Sequence, residues 1–269
     1  MIVNDKIGVV LSGGGFKGLA QLGVLHFMQE LRIPVHAISG TSVGALIGAF
    51  MAQGYTPYQI LDYARKERIF SYTYLSLRNG GGLFNTNLLD RIIKKYIPHN
   101  SFEDLKIPFY TTVTDLTNGR ELTFTKGDLA LAVKASCSCP LIFQPVLYKD
   151  TYLCDGGLVN NFPLDPIVST CNMVIGVNVN PINKVEGSMN YQKLIGRIIR
   201  ITSSQLPPEA KAKCTLYLEP DGINNYTMFE TQRIEELFEV GYMAAKKCRE
   251  DFLNIKAMAG AWTGGQNPG

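Results

Sequence analysis

The chain begins with two short apolar runs, and each leads through small residues into a helical pattern. Ile7 to Leu11 is continuously apolar, which is typical of a strand buried on both faces of a sheet. Glycines follow it, and the apolar residues beyond them recur at helical spacing. The pattern returns with Val35 to Ile38, the small-residue turn Ser39 to Gly44 and the apolar segment Ala45 to Ala52. This alternation predicts an α/β fold with a mostly parallel sheet between helices.

The composition is that of a folded globular protein. The 269 residues are 46% hydrophobic and 18% charged, which excludes a disordered chain and a coiled coil. A net charge of +3 is too small to indicate a nucleic-acid partner. We expect a single domain over residues 1–256, followed by a flexible tail over residues 257–269, where Gly and Ala are frequent.

Apolar run lengths and cysteines bear on the location of the protein. The longest apolar stretch, Val43 to Ala52, has ten residues, and a membrane-spanning helix needs about 20. The N-terminus carries no long apolar segment of the kind found in secretory signals. The six cysteines form no C-x-x-C pair, so we expect reduced, mostly buried thiols. These features predict a cytoplasmic protein, at most peripheral to a membrane.

The glycine turn after the first strand reads Gly13-Gly14-Gly15-Phe16-Lys17-Gly18 and matches G-x-G-x-x-G. A dinucleotide fold also needs an acidic residue at the end of the second strand, but that strand ends Ile38-Ser39-Gly40. A phosphate-binding P-loop needs the lysine after the last glycine, and Lys17 precedes it. No nucleotide cofactor is therefore expected. Bare N–H groups at a helix start can bind an anion or an oxyanion, and the alternative is a tight turn only.

The second turn, Gly40-Thr41-Ser42-Val43-Gly44, matches G-x-S-x-G between a strand and a helix. A nucleophilic serine on such a turn needs small residues on both sides, because the backbone is crowded there. Ser42 is therefore a candidate nucleophile at the carboxyl edge of the sheet. The alternative is a serine whose side chain caps the helix.

A nucleophilic serine needs a base, and the three histidines fit that role poorly. His26 and His36 lie among apolar residues, so we expect both to be structural, and His99 lies in a predicted surface turn. Asp155 ends an apolar strand and precedes Gly156-Gly157, which makes it the candidate base. An Asp-Gly pair alone can also be an ordinary turn.

These motifs, in this order, resemble those of the patatin-like phospholipases. The segment Ala135 to Pro145 and Thr114-Asp115-Leu116 fit the same family, and the similarity covers roughly residues 6–180. The resemblance implies a three-layer α/β/α fold, a Ser-Asp dyad and no metal or cofactor. It assigns Ser42 as nucleophile and Asp155 as base. The expected oxyanion loop is formed by Gly13, Gly14, Gly15 and Gly18, and the turns around the dyad by Gly40, Gly44, Gly156 and Gly157.

The hypothesis that follows is a serine hydrolase acting on acyl esters of phospholipids or other lipids. Backbone N–H groups of Gly14 and Gly15 would hold the oxyanion. Lys17 would order the glycine loop or meet a lipid phosphate, unless it is a solvated first-turn lysine. The alternatives are an acyltransferase or esterase on small esters, and a silent lipid-binding or regulatory module.

Two further segments bear on contact with lipid. Residues 191–206 form a basic amphipathic helix, for which core packing is the default expectation and transient membrane contact the alternative. Phe70 to Leu77 alternates aromatic and aliphatic residues and suggests either a lid or plain packing. Trp262 lies in the predicted tail.

Overall fold

The computed structural model describes residues 5–67, 87–184, 188–204, 206, 208–228 and 232–260. Its strands are β1 Ile7–Leu11, β2 Ala37–Thr41, β3 Phe109–Asp115, β4 Arg120–Phe124, β5 Val146–Tyr148, β6 Thr151–Asp155, β7 Met173–Val177 and β8 Leu216–Leu218. Its helices are α1 Leu19–Glu30, α2 Val43–Gln53, α3 Pro57–Lys66, α4 Asn87–Tyr96, α5 Leu129–Ser136, α6 Asp165–Val168, α7 Tyr191–Ser203, α8 Pro208–Ala212, α9 Ile234–Lys247 and α10 Arg249–Gly260.

All the described strands belong to one mixed sheet. Its order is β5-β6-β3-β2-β1-β7-β8, and β4 pairs with β3 outside this path. The strands from β3 to β8 in this order pair in parallel, whereas β4 and β6 run antiparallel to β3. The predicted mostly parallel sheet is confirmed.

The sheet is covered by helices on both faces. Ile7, Val9 and Leu11 of β1 belong to the larger apolar core, which includes residues of α1, α2, α3 and α9. Val10 of the same strand belongs to a second core with Ile167 of α6 and Ala210 of α8. Successive side chains of a strand point to opposite faces, so β1 lies between two helical layers. The expected three-layer arrangement is confirmed.

Three element boundaries differ from the sequence expectation. β2 starts at Ala37 and continues through Ser39, Gly40 and Thr41, because β1 and β3 pair with it on both edges. Helical spacing of the apolar residues predicts one helix from Ile234 to Phe252, whereas the structure breaks it at Cys248. Its continuation, α10, reaches Gly260, four residues into the segment expected to be a tail. Residues 261–269, with Trp262, and the segment Phe70 to Leu77 lie outside the described residues.

Candidate active site

The register of β3 brings the ends of two strands together. Thr41, the last residue of β2, pairs with Thr112 of β3, and Asp155, the last residue of β6, pairs with the next residue, Val113. Because β4 pairs with Thr111 to Asp115 on the opposite edge, β2 and β6 must share one edge of β3. β2 and β6 run towards each other along this edge, and their last residues pair with neighbouring residues of β3. Ser42, which follows Thr41, therefore lies next to Asp155.

Ser42 and Asp155, the two residues of the expected dyad, are joined by a direct hydrogen bond. Ser42 Oγ donates to Asp155 Oδ2 at 2.7 Å. Ser42 has φ 55° and ψ −123°, a strained conformation for a residue with a side chain. Its side chain makes no capping bond to α2. The alternative of a capping serine is thus wrong, and the turn presents the hydroxyl to the carboxylate instead.

The strained turn is held by its backbone. Ser42 N–H donates to Ser136 Oγ at 2.9 Å, and Ser136 Oγ donates to the Thr112 carbonyl at 2.7 Å. Ser136 is fully buried, so these bonds replace water as partners. Ser136 was part of the sequence pattern quoted above, but nothing in its local sequence indicated a contact with Ser42.

Close approaches explain the glycines around the dyad. A Cβ on Gly44 would lie 2.3 Å from the Leu11 carbonyl oxygen, and one on Gly40 would lie 2.3 Å from the Gly44 carbonyl oxygen. On the base side, a Cβ on Gly156 would lie 2.3 Å from the Thr112 carbonyl oxygen, and one on Gly157 would lie 2.9 Å from Asn161 Oδ1. Neither turn has room for a side chain at these four positions.

Asp155 is held with its carboxylate inside the protein. The residue is only 7% exposed, and Oδ1 accepts a bond from Gly157 N–H at 2.8 Å. Burial raises the pKa of Asp155 to about 6, against the opposing effects of the hydrogen bonds from Ser42 and Gly157. A carboxyl group with this pKa is mostly ionised at neutral pH and is a better proton acceptor than an ordinary aspartate.

The glycine loop approaches Ser42 at Gly13 and is held there by Asn161. Gly13 N–H donates to the Asn161 carbonyl at 3.2 Å, and Asn161 Nδ2 donates back to the Gly13 carbonyl at 3.3 Å. A Cβ on Gly13 would lie 3.1 Å from Ser42 Cβ, so this glycine allows the loop to approach the nucleophile. Its N–H is already used and is not available to an oxyanion.

The N–H groups of Gly14 and Gly15 differ from those of Gly13 and Phe16 in their hydrogen bonding. The hydrogen bonds among the described residues give acceptors to Gly13 and Phe16 but none to Gly14 or Gly15. Gly15 has φ +58°, and a Cβ there would lie 2.4 Å from the Met228 carbonyl oxygen. Gly18 has another role, since a Cβ on it would lie 2.3 Å from a methyl group of Val43. The missing side chain of Gly18 allows the short 3-10 helix Gly15–Gly18 to pack against α2.

Lys17 is buried rather than solvated. It is 1% exposed, and its Nζ donates to Asn180 Oδ1 at 2.8 Å. Asn180 Nδ2 donates in turn to Ser203 Oγ of α7 at 3.0 Å. Burial, with a smaller contribution from Arg200, lowers the pKa of Lys17 to about 7. The solvated alternative is wrong, and the contacts fit a residue that orders the glycine loop. The sequence did not indicate Asn180.

The histidines lie in other contacts, as expected. His26 Nε2 lies 3.2 Å from Glu30, and its ring packs against Tyr58. His36 Nδ1 accepts from Ile7 N–H, and His99 Nε2 lies 2.8 Å from Gln53 Oε1. All six cysteines are free thiols. Over the described residues, no group of three or more His, Cys, Asp or Glu side chains is arranged to hold a metal ion. Within the same residues, no helix has both the length and the apolar content to cross a membrane.

Comparison with solved structures shows the same fold in distant proteins. VipD of Legionella pneumophila aligns with 94% of this chain and 67% of its own chain, at a TM-score of 0.55 and 13% identity. Human GIVD cytosolic phospholipase A2 aligns with 95% of this chain and 60% of its own, at a TM-score of 0.53 and 10% identity.

Comparison with curated sequences finds larger relatives. Lysophospholipase NTE1 of Lodderomyces elongisporus is 25% identical over 96% of this chain. Patatin-like phospholipase domain-containing protein 7 of Rattus norvegicus is 29% identical over 90% of it. The alignment covers 20% of each relative, so the chain spans about a fifth of their length. The family model described as patatin-like phospholipase matches residues 9–168, which is more than half of the sequence and includes both Ser42 and Asp155. The chain therefore belongs to the patatin-like phospholipase family.

Proposed function

We propose that the protein is a serine hydrolase that cleaves acyl ester bonds of lipids through Ser42 and Asp155. The observation that carries the proposal is the 2.7 Å bond from Ser42 Oγ to a buried carboxylate, made from a strained turn at the edge of the sheet. Strain of this kind persists only where the surrounding structure maintains it, and it is common at active sites.

The chemistry proceeds in two steps. Ser42 Oγ attacks the ester carbonyl while its proton passes to Asp155 Oδ2, and the N–H groups of Gly14 and Gly15 bind the oxyanion. Collapse of the tetrahedral intermediate releases the alcohol, which takes the proton from Asp155, and leaves an acyl ester on Ser42. Asp155 then accepts a proton from water as the water attacks this ester. Collapse of the second tetrahedral intermediate returns that proton to Ser42 Oγ and releases the fatty acid. Each oxyanion donor typically contributes about 10²–10³ in rate.

The similarity to proteins named as phospholipases supports a lipid ester as the substrate group. Since two relatives carry the names lysophospholipase and phospholipase, lysophospholipids are the first substrates to test.

Free cysteines support the proposed site of action. All six cysteines are free; Cys154 and Cys171 are buried and the other four are partly buried, so the expectation of mostly buried thiols is wrong. Free thiols persist most readily in a reducing compartment. We propose the cytoplasm, with transient contact at membranes that contain the substrate.

The first experiment is labelling with a fluorophosphonate probe, followed by mapping of the adduct by mass spectrometry. We expect an adduct on Ser42 that is absent in Ser42→Ala and present in Ser169→Ala, which removes an exposed serine elsewhere. Lysophosphatidylcholine hydrolysis should be lost in Ser42→Ala alone. Absence of labelling in the folded wild-type protein would contradict the proposal and favour a silent lipid-binding module.

Product analysis separates the hydrolase from its enzymatic alternatives. With lysophosphatidylcholine as the sole lipid, a hydrolase releases free fatty acid, whereas an acyltransferase moves the acyl group to a second lysolipid and forms a two-chain lipid. A general esterase would prefer dissolved p-nitrophenyl butyrate over the lysolipid. Either of these outcomes would overturn lipid hydrolysis while leaving the dyad in place.

A further inference from the structure

Helix α7 presents an apolar face to solvent. Tyr191, Leu194, Ile198 and Ile201 are 76%, 43%, 47% and 40% exposed. Their spacings of three, four and three residues confine them to an arc of about 80° on the helix. Ile199 and Ser203, on the opposite side, are buried. The expectation of a core-facing stripe is therefore wrong for Tyr191, Leu194 and Ile198 but correct for Ile199. We call Tyr191, Leu194, Ile198 and Ile201 the α7 stripe.

The α7 stripe lies on the helix that borders the dyad. The end of α7 packs against the turn Gly156–Leu158, which directly follows Asp155. A Cβ on Gly157 would lie 3.4 Å from Ser203 Cβ. Through Asn180, Ser203 is also linked to Lys17 of the glycine loop. The helix that carries the stripe is thus in direct contact with the turn that follows Asp155.

Positive charge accompanies the stripe. α7 contains Lys193, Arg197 and Arg200 and no acidic residue. Arg200 Nη2 donates to two neutral acceptors, the Pro181 carbonyl and Asn224 Oδ1. Arg197 lies about 40° from Ile201 around the helix, beside the stripe, and no salt bridge found among the described residues includes it. An apolar stripe bordered by an arginine, on a helix without acidic residues, is complementary to an interface with anionic phosphate groups.

We propose that the α7 stripe docks the protein onto an anionic lipid bilayer and so places the dyad at the membrane surface. This inference rests on the proposed lipid-ester hydrolysis, and it names the surface through which the enzyme reaches its substrate. Tyr191, Leu194, Ile198 and Ile201 enter the headgroup region, and Arg197 meets lipid phosphates. Apolar burial supplies most of the binding, and electrostatic attraction adds preference for anionic lipid.

The test is sedimentation with vesicles of phosphatidylcholine and phosphatidylglycerol in equal parts. The variant Leu194→Ser/Ile198→Ser removes the centre of the stripe. The control Met243→Ser/Met258→Ser removes residues of α9 and α10 that are 42% and 46% exposed, close to the 43% and 47% of the stripe pair. We expect vesicle binding of the stripe variant to fall about tenfold or more and binding of the control to stay at the wild-type level. Circular dichroism verifies that all variants are folded.

Charge is tested with Arg197→Gln. We expect its binding to the mixed vesicles to fall about fivefold and its binding to pure phosphatidylcholine vesicles to be unchanged. Added salt should weaken wild-type binding to the mixed vesicles for the same reason. Equal loss on both kinds of vesicle would overturn the electrostatic part of the proposal.

Hydrolysis of dissolved p-nitrophenyl butyrate separates docking from catalysis. We expect equal rates in wild type, stripe variant and control, with loss of vesicle hydrolysis in the stripe variant only. A wild-type protein that binds vesicles but cleaves neither substrate would refute the proposed function and leave the docking surface standing. Unchanged vesicle binding by the stripe variant would overturn the docking surface. So would a wild-type dimer that becomes monomeric in the stripe variant without a change in vesicle binding, since the stripe would then contact a second copy.

Discussion

Replacing Asp155 by asparagine should abolish turnover and, at neutral pH, make the protein more stable. Burial raises the pKa of Asp155 from its ordinary value of 3.8 to about 6. One pKa unit corresponds to about 1.4 kcal/mol, so the ionised carboxylate lowers the free energy of unfolding by about 3 kcal/mol. Asparagine has nearly the same shape and carries no charge. Its oxygen can accept from Gly157 N–H, and its amide can donate to Ser42 Oγ.

The stability gained by Asp155→Asn should increase as the pH rises. Below pH 3.8 the carboxyl group is protonated in both the folded and the unfolded chain, so it contributes no difference. As the pH rises from there to about 6, the unfolded chain ionises first and the wild type loses stability. Above that range the full deficit of about 3 kcal/mol remains. Asp155→Asn should therefore match the wild type in acid and exceed it at neutral pH.

Urea unfolding at pH 4 and pH 7.5, followed by circular dichroism, measures both differences. Asp115→Asn is the matched control, because hydrogen bonds from Asn118 lower the pKa of Asp115. A lowered pKa stabilises the folded chain above the unfolded pKa, so this variant should lose stability at neutral pH. An Asp155→Asn protein that is less stable than the wild type at pH 7.5, or equally shifted at both pH values, would refute the reasoning.

Three further predictions concern the same site. The kcat/KM for p-nitrophenyl butyrate should rise with pH to a plateau with an apparent pKa of about 6, since Asp155 must be ionised; a pH-independent rate would contradict this role. Ser136→Ala removes the acceptor of Ser42 N–H and should lower the free energy of unfolding by about 1–3 kcal/mol together with kcat, as measured by urea unfolding and initial rates. Gly44→Ala should cost about 3 kcal/mol or more, because the new methyl group meets the Leu11 carbonyl. On α7, a Cβ on Gly196 would meet nothing within 4 Å, so Gly196→Ala should instead raise the free energy of unfolding by about 1 kcal/mol. Thermal unfolding of the two glycine variants measures both changes.

The sequence is informative where a residue type has few physical explanations. Ser42 lies between glycines on a strand-to-helix turn, and Asp155 ends an apolar strand before two glycines. Because only small residues fit such crowded turns, the pattern alone marks both candidates. Periodicity likewise predicts β1, α1 and α2, since continuous apolar runs and helical spacing depend on local sequence.

Long-range pairing decides what the local pattern does not contain. Ser39, Gly40 and Thr41 carry no strand pattern, and they are strand residues because β1 and β3 pair with both edges. Ser136 becomes part of the site only because α5 brings its hydroxyl to Ser42 N–H, 94 residues away in sequence. Cooperation between such distant residues leaves no local signal.

The amphipathic pattern of α7 shows the same division. Its apolar spacing is visible in the sequence and predicts a helix with one apolar face. Which face is covered depends on where the rest of the chain packs, and here Ile199 and Ser203 face inward while the α7 stripe stays exposed. The candidate nucleophile, the candidate base and the type of fold were thus predictable from local sequence patterns. The pairing of Ser42 with Asp155 depends on long-range contacts, because β3 brings the ends of β2 and β6 together.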